Sequence, residues 1–177
     1  MGHLCSRFRD APWHVSTDDS LTGTNKKRMT KTNIKEAVVE TGKYGPVYRQ
    51  FAEKPKEAIK FLREKKNGEC IAALYRSDIG DIDIVWGEIT DPIKHKGYGL
   101  AHIIDKHELE INKLGFNVED FVPIVVQFGN FNLKKSDSQK KVFESETFRF
   151  VVALENEQNG KIKKWLLSAF DILKRPK

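Results

Sequence analysis

The sequence predicts an α+β fold in which N-terminal helices pack on a C-terminal antiparallel β-sheet. Two observations carry this. Segments with helical apolar spacing fall between residues 54 and 128, and β-rich runs dominate from about 131 onward. Local helices followed by consecutive strands, without strand–helix alternation in that last part, favour segregated helices and an antiparallel sheet.

Tyr44-Gly45-Pro46 reads as a turn. Lys54-Pro55 then opens a helix over 54–66, with Ala58, Ile59 and Leu62 at helical spacing and Gly68 just beyond its end. Ile71–Tyr75 and Ile82–Trp86 are short strands joined by a tight connection at 77–81. Alternation puts Ile82, Ile84 and Trp86 on one face, Asp83 and Val85 on the other, so one face is predicted packed and the other open.

Gly97-Tyr98-Gly99 leads into the strongest helix. Leu100, Ile103, Ile104, His107, Ile111 and Leu114 form one apolar stripe, which Gly115 ends. Asn117 is placed to cap a further helix running to about Phe128. Strands are predicted at 131–135, 141–145, 147–155 and 162–170, with Asn159-Gly160 as the last hairpin turn.

The chain has 177 residues and a net charge of +6, distributed unevenly. Residues 1–35 hold seven basic and three acidic side chains, 36–128 hold 13 and 16, and 129–177 hold 11 and six. The first stretch lacks any sustained period and reads as a disordered basic leader, with one folded domain over 36–177. The positive excess of the last stretch is the better footprint for phosphate, although a solvated surface gives the same count. The two cysteines, Cys5 and Cys70, are far apart and match neither a disulfide framework nor a zinc site. No apolar run suffices for a membrane span or a signal peptide, so a soluble cytoplasmic protein without membrane association is expected.

Motifs for nucleotide hydrolysis, dinucleotide binding, serine hydrolysis and zinc proteolysis are all missing, and no metal or cofactor is expected. Of the five histidines, His102 and His107 share one helix. Five residues apart, they point about 140° away from each other and are expected to face different surroundings unless the helix ends or distorts between them. His107 lies on the apolar stripe, where a satisfied structural imidazole is the alternative to catalysis. In the last hairpin, Arg149 and Ser168 sit on adjacent strands whose paired positions are about 5 Å apart, so both can approach one phosphate. A surface arginine and a filler serine remain the other reading.

Ile79-Gly80-Asp81-Ile82-Asp83-Ile84-Val85-Trp86-Gly87, then Gly99-Leu100-Ala101-His102-Ile103-Ile104-Asp105-Lys106-His107, then Arg149, then Trp165-Leu166-Leu167-Ser168-Ala169-Phe170 occur in that order. Together they resemble the phage- and mobile-element-associated branch of the barnase/EndoU/colicin/RelE-like ribonucleases, over about residues 43–173. The resemblance implies a metal-independent endoribonuclease that uses the RNA 2′-hydroxyl as nucleophile and leaves a 2′,3′-cyclic phosphate. It implies His102 and His107 as acid and base, Arg149 as phosphate clamp and Ser168 as an oxygen-holding hydroxyl. Lys106, Trp165 and Lys163 become substrate-binding residues. Phe170 departs from the pattern, because relatives often carry a tyrosine there. An RNA substrate and an inhibitory partner, an acidic immunity protein or antitoxin, are implied, with action either in the cell that makes the protein or in a target cell. The alternatives are a phage structural or interaction module that kept the fold without activity, and a non-catalytic nucleic-acid-binding domain.

Overall fold

A computed structural model describes residues 40–157 and 159–173; the expected leader, residues 1–35, lies outside them. The elements run β1 (Thr41–Gly42), β2 (Gly45–Tyr48), α1 (Pro55–Lys65), β3 (Glu69–Arg76), β4 (Gly80–Val85), β5 (Glu88–Asp91), β6 (Lys96–Tyr98), α2 (Gly99–Lys113), α3 (Val118–Phe128), β7 (Asn130–Phe131), β8 (Lys140–Glu144), β9 (Phe148–Asn156) and β10 (Ile162–Asp171). The class is α+β, with a large sheet ordered β1-β2-β3-β4-β10-β9-β8-β7 and β5 paired separately with β6. Most neighbours are antiparallel, but β2–β3 and β4–β10 are parallel. The sheet is therefore not confined to the C-terminal half: β3 and β4 form before α2, and β4 lies against β10.

One buried cluster joins Ile59 and Leu62 of α1, Leu100, Ile103 and Ile111 of α2, Val122 and Val125 of α3, and Ile82, Phe150, Leu166 and Ala169 of the sheet. A second, smaller cluster holds Val85, Ala153 and Trp165, with Tyr44 and Tyr98 against it. It overturns the open face expected for β4. Val85 is fully buried and Asp83 nearly so, because the rings of Tyr44 and Tyr98 cover Trp165 at 5.1 and 5.7 Å. Asp83 has a local task there: its carboxylate accepts from the Ala72 amide at 2.7 Å, where β3 is irregular and Ala72 has a left-handed φ of 52°.

The strand predicted at 131–135 is short. β7 ends at Phe131 and a 3-10 turn covers Leu133–Lys135, since the Asn132 side chain accepts from the Lys135 amide at 3.2 Å and captures the backbone before it can extend. The Asn117 cap is present and accepts from the Asp120 amide at 2.8 Å.

The two glycine motifs fix where α2 begins. Gly87 and Gly99 both have left-handed φ, 76° and 74°, and the Ala101 amide donates to the Trp86 carbonyl at 2.8 Å. A Cβ on Gly87 would overlap the Tyr98 carbonyl, and one on Gly99 would lie 2.9 Å from the Val85 and Trp86 carbonyl oxygens. Gly87→Ala is expected to destabilise the fold by about 2–3 kcal/mol through strain and overlap combined, read as a lower midpoint in urea unfolding.

Candidate active site

Helix α2 runs alongside β10 in the same direction. At its start Tyr98 meets Trp165; further along, the His107 imidazole stacks on the Phe170 ring at 4.9 Å and 16°. The divergence expected of the two helix histidines does not occur. The His102 and His107 rings stand edge to face, 5.6 Å apart, on an uninterrupted helix. Helical side chains lean back toward the N-terminus, so His107 reaches over the preceding turn toward His102. Both are buried, at 9% and 6% exposure.

An irregularity in β10 decides what joins them. Leu166 pairs with Val152, but Ser168 pairs with Val151, so the register shifts at Leu167. Strict period-2 alternation would put Leu166, Ser168 and Phe170 on one face; the shift instead sends Leu166 and Ala169 into the core together. Ser168 and Phe170 share the other face, where Arg149 is the cross-strand partner of Phe170. The Arg149 guanidinium carbon lies 5.6 Å from the Phe170 ring centre. One phenyl ring thus touches both the imidazole of α2 and the guanidinium of β9.

Beyond Arg149 the line continues. Its Nε donates to Glu144 Oε2 at 2.7 Å, and Lys135 Nζ donates to both Glu144 oxygens at 3.0 Å. Asn132 adds a third donor to the same carboxylate. These partners, the Lys135 bond foremost and then Arg149, hold the Glu144 carboxyl down to about 2. Next to the imidazoles, Glu110 lies 3.3 Å from His107 Nδ1, and Asp105 pairs with His95 at 2.8 Å. His102 Nδ1 and Ser168 Oγ are buried without a hydrogen-bond partner. Orphaned polar atoms of this kind are costly and call for a ligand or water to complete them.

Burial is the first cause that holds both imidazoles below the ordinary histidine value. The neighbouring His107 and Lys106 charges lower His102 further, whereas Glu110 pulls His107 back up. The unfolded chain therefore binds more protons than the folded one below about pH 6.5. Stability from these groups is complete above that pH and is lost as pH falls through the folded-state values. Melting temperatures between pH 7.5 and 5 are expected to fall, and replacing His107 by Phe is expected to flatten that slope.

Residues 73–176 match a family model described as phage-Barnase-EndoU-ColicinE5/D-RelE like nuclease 1. The chain belongs to this family. The match covers more than half of the chain and every residue of the line just described. No curated protein and no solved structure matches the chain. The family is one of nucleases, proteins whose substrate is nucleic acid. No helix among the described residues is long and apolar enough to cross a membrane, and no group of three or more His, Cys, Asp or Glu among them is placed to hold a metal ion.

Of the substrate-binding residues expected for such a nuclease, Lys106 is exposed beside the two imidazoles, and its charge is felt by both. Trp165 is buried in the second cluster. Lys163 lies apart from the histidines. Its ammonium, with the side chain 12% exposed, pairs with fully buried Glu69 and lies 3.6 Å from Asp83. Lys163→Ala leaves two buried carboxylates facing each other, and is expected to cost about 3 kcal/mol of stability. Calorimetry distinguishes that from a substrate contact, whose removal would spare the melting temperature.

Glu144, Glu110 and the His95–Asp105 pair adjoin this cluster and were not singled out from the sequence. Glu110 carries a usable signal, three residues after His107 on one helix. Glu144 carries none until the β8–β9 register is known.

Proposed function

We propose that this nuclease is an endoribonuclease that cleaves RNA by internal transesterification, without a metal. The observation that carries the reading is the shared Phe170 ring: an imidazole and a guanidinium from separate elements flank one small patch of β10. A base removes the 2′-hydroxyl proton, the 2′-oxygen bonds to the adjacent phosphorus, the bond from phosphorus to the 5′-oxygen breaks, and an acid protonates that oxygen. The products are a 2′,3′-cyclic phosphate end and a 5′-hydroxyl end. Arg149 stabilises the extra negative charge on the phosphorane.

The electrostatics divide the two proton tasks. Glu110 supports a proton on His107, which makes it the acid. Burial first, and then the charges of His107 and Lys106, disfavour a proton on His102, which suits it to the base. Ser168 Oγ, buried and unpartnered, is a donor for a non-bridging oxygen, and Lys106 is a second cation within reach.

The domain is residues 36–177, with a basic leader before it. A cytoplasmic RNase of this kind is toxic to the cell that holds it, so an acidic immunity protein or antitoxin is the partner that the positive last stretch fits. Co-expression with such a partner should yield a complex that dissociates as salt is raised.

A second reading, a fold-retaining module without activity, is favoured by the burial of both imidazoles. One experiment separates the two. Purified protein incubated with total RNA in excess chelator should yield fragments ending in 2′,3′-cyclic phosphate, and an oligonucleotide methylated at every 2′-oxygen should resist. Intact RNA under those conditions would leave the inactive module standing.

A further inference from the structure

The edge of the sheet beyond Arg149 brings exposed apolar side chains and lysines together. Residues 128–143 hold four lysines against one aspartate. Within this segment Phe128, Phe131 and Leu133 are 67%, 48% and 76% exposed, although β7 is the last strand of the sheet. Exposed rings on an edge strand are a liability unless something covers them. Lys141 Nζ lies 5.9 Å from the Phe131 ring centre, and Lys134 is exposed beside Leu133. Lys135 ties the segment to the candidate site, because it grips the same Glu144 carboxylate that Arg149 grips. Glu144 is thereby neutralised by its own neighbours, and the remaining field of the edge is positive.

We propose that this edge binds single-stranded RNA flanking the scissile phosphate, with bases stacked on Phe131 and Phe128 and phosphates on Lys134 and Lys141. The inference rests on the nuclease reading for its substrate class. Interleaved lysines and accessible aromatic faces are the chemistry of sequence-tolerant single-strand binding. Lys135 and Lys140 are already paired with Glu144 and Asp137, which leaves Lys134 and Lys141 for phosphate; a protein strand adding to β7 would use the apolar side chains, and would use these two lysines only if it were acidic.

The test uses a fluorescein-labelled ten-nucleotide 2′-O-methyl RNA, which cannot be cleaved, together with cleavage assays on a dinucleotide and on a long RNA. Phe131→Ala should weaken binding of the ten-mer roughly ten-fold, the weight of a single base–aromatic stack. The Lys134→Ala/Lys141→Ala protein guards against a Phe131 variant that folds poorly. It should flatten the slope of log affinity against log salt by about 0.7 for each phosphate that is no longer neutralised. Both variants should raise KM for long RNA and leave dinucleotide cleavage unchanged, because a dinucleotide is too short to reach the edge. Ten-mer affinities equal to that of the parent would overturn the proposal and assign the edge to a protein partner. A parent that binds the ten-mer through Phe131 yet cuts no RNA would uphold the surface and remove the catalytic reading.

Discussion

Arg149→Ala is expected to lower the RNA cleavage rate by roughly 10²–10³-fold, the usual consequence of removing one donor aimed at developing phosphorane charge. The effect should fall on kcat more than on KM, because the guanidinium matters most when the extra charge appears. Arg149→Lys should recover little. Held by Glu144 through Nε and set against the Phe170 ring, the guanidinium is a planar fork with one orientation, which a flexible ammonium does not reproduce. The fold should survive. The Arg149–Glu144 pair is partly exposed, and such pairs contribute about 0–1 kcal/mol. A melting temperature close to the parent's, with activity abolished, marks the residue as functional. An unchanged rate would exclude Arg149 as the phosphate clamp and weaken the whole line from His107 to Glu144.

How much of this arrangement was legible follows from the range of each interaction. The apolar stripe of α2, its glycine-rich start and the Asn117 cap depend on neighbours within a few residues, and were readable. The two Gly87 and Gly99 backbones were quotable as a motif, but their close approach becomes visible only when β4 is placed beside the start of α2. The parallel β4–β10 contact joins residues some eighty positions apart, with no local signature. It explains why Asp83 and Val85 were expected to be open. The shift at Leu167 had a similar effect on a smaller scale. One extra residue reversed the facing of Ala169 and left Ser168 and Phe170 together on the Arg149 side. Period-2 reasoning cannot locate such an irregularity. Lys163, which the resemblance puts with the substrate, pairs in three dimensions with Glu69 from the other half of the chain, a partner that no local pattern announces.

Phe170 has a different standing from a missing hydroxyl. It pairs with Arg149 across the strands, carries the His107 imidazole on its ring and is only partly buried. It is the spacer that sets the imidazole-to-guanidinium separation. A phenol there would keep the stack, whereas the present phenyl ring carries no proton and leaves proton transfer, in the proposed reaction, to the imidazoles.

His102→Ala and His107→Ala are each expected to cost about 10²–10⁴-fold in cleavage, the range for removing one general acid or base. If the two imidazoles work on one proton circuit, the double variant should be little slower than the worse single one, because the second substitution removes a partner already idle. Rates that fall multiplicatively would mean that the rings act separately. The pH dependence sharpens the test. Burial depresses both pKa values, and protonating either ring disfavours protonating the other across 5.6 Å. The singly protonated pair that the reaction needs is therefore most populated below neutral pH, and kcat/KM should peak on the acid side of 6.5. Neutralising Glu110 should move the upper limb of that peak still lower, since its carboxylate is what favours the proton on His107. Because Glu110 is exposed and sits at 3.3 Å from the ring, Glu110→Gln should leave the fold intact, which isolates the electrostatic effect. A profile centred well above pH 7, or one indifferent to residue 110, would take His107 out of the acid's role even if its removal abolished cleavage.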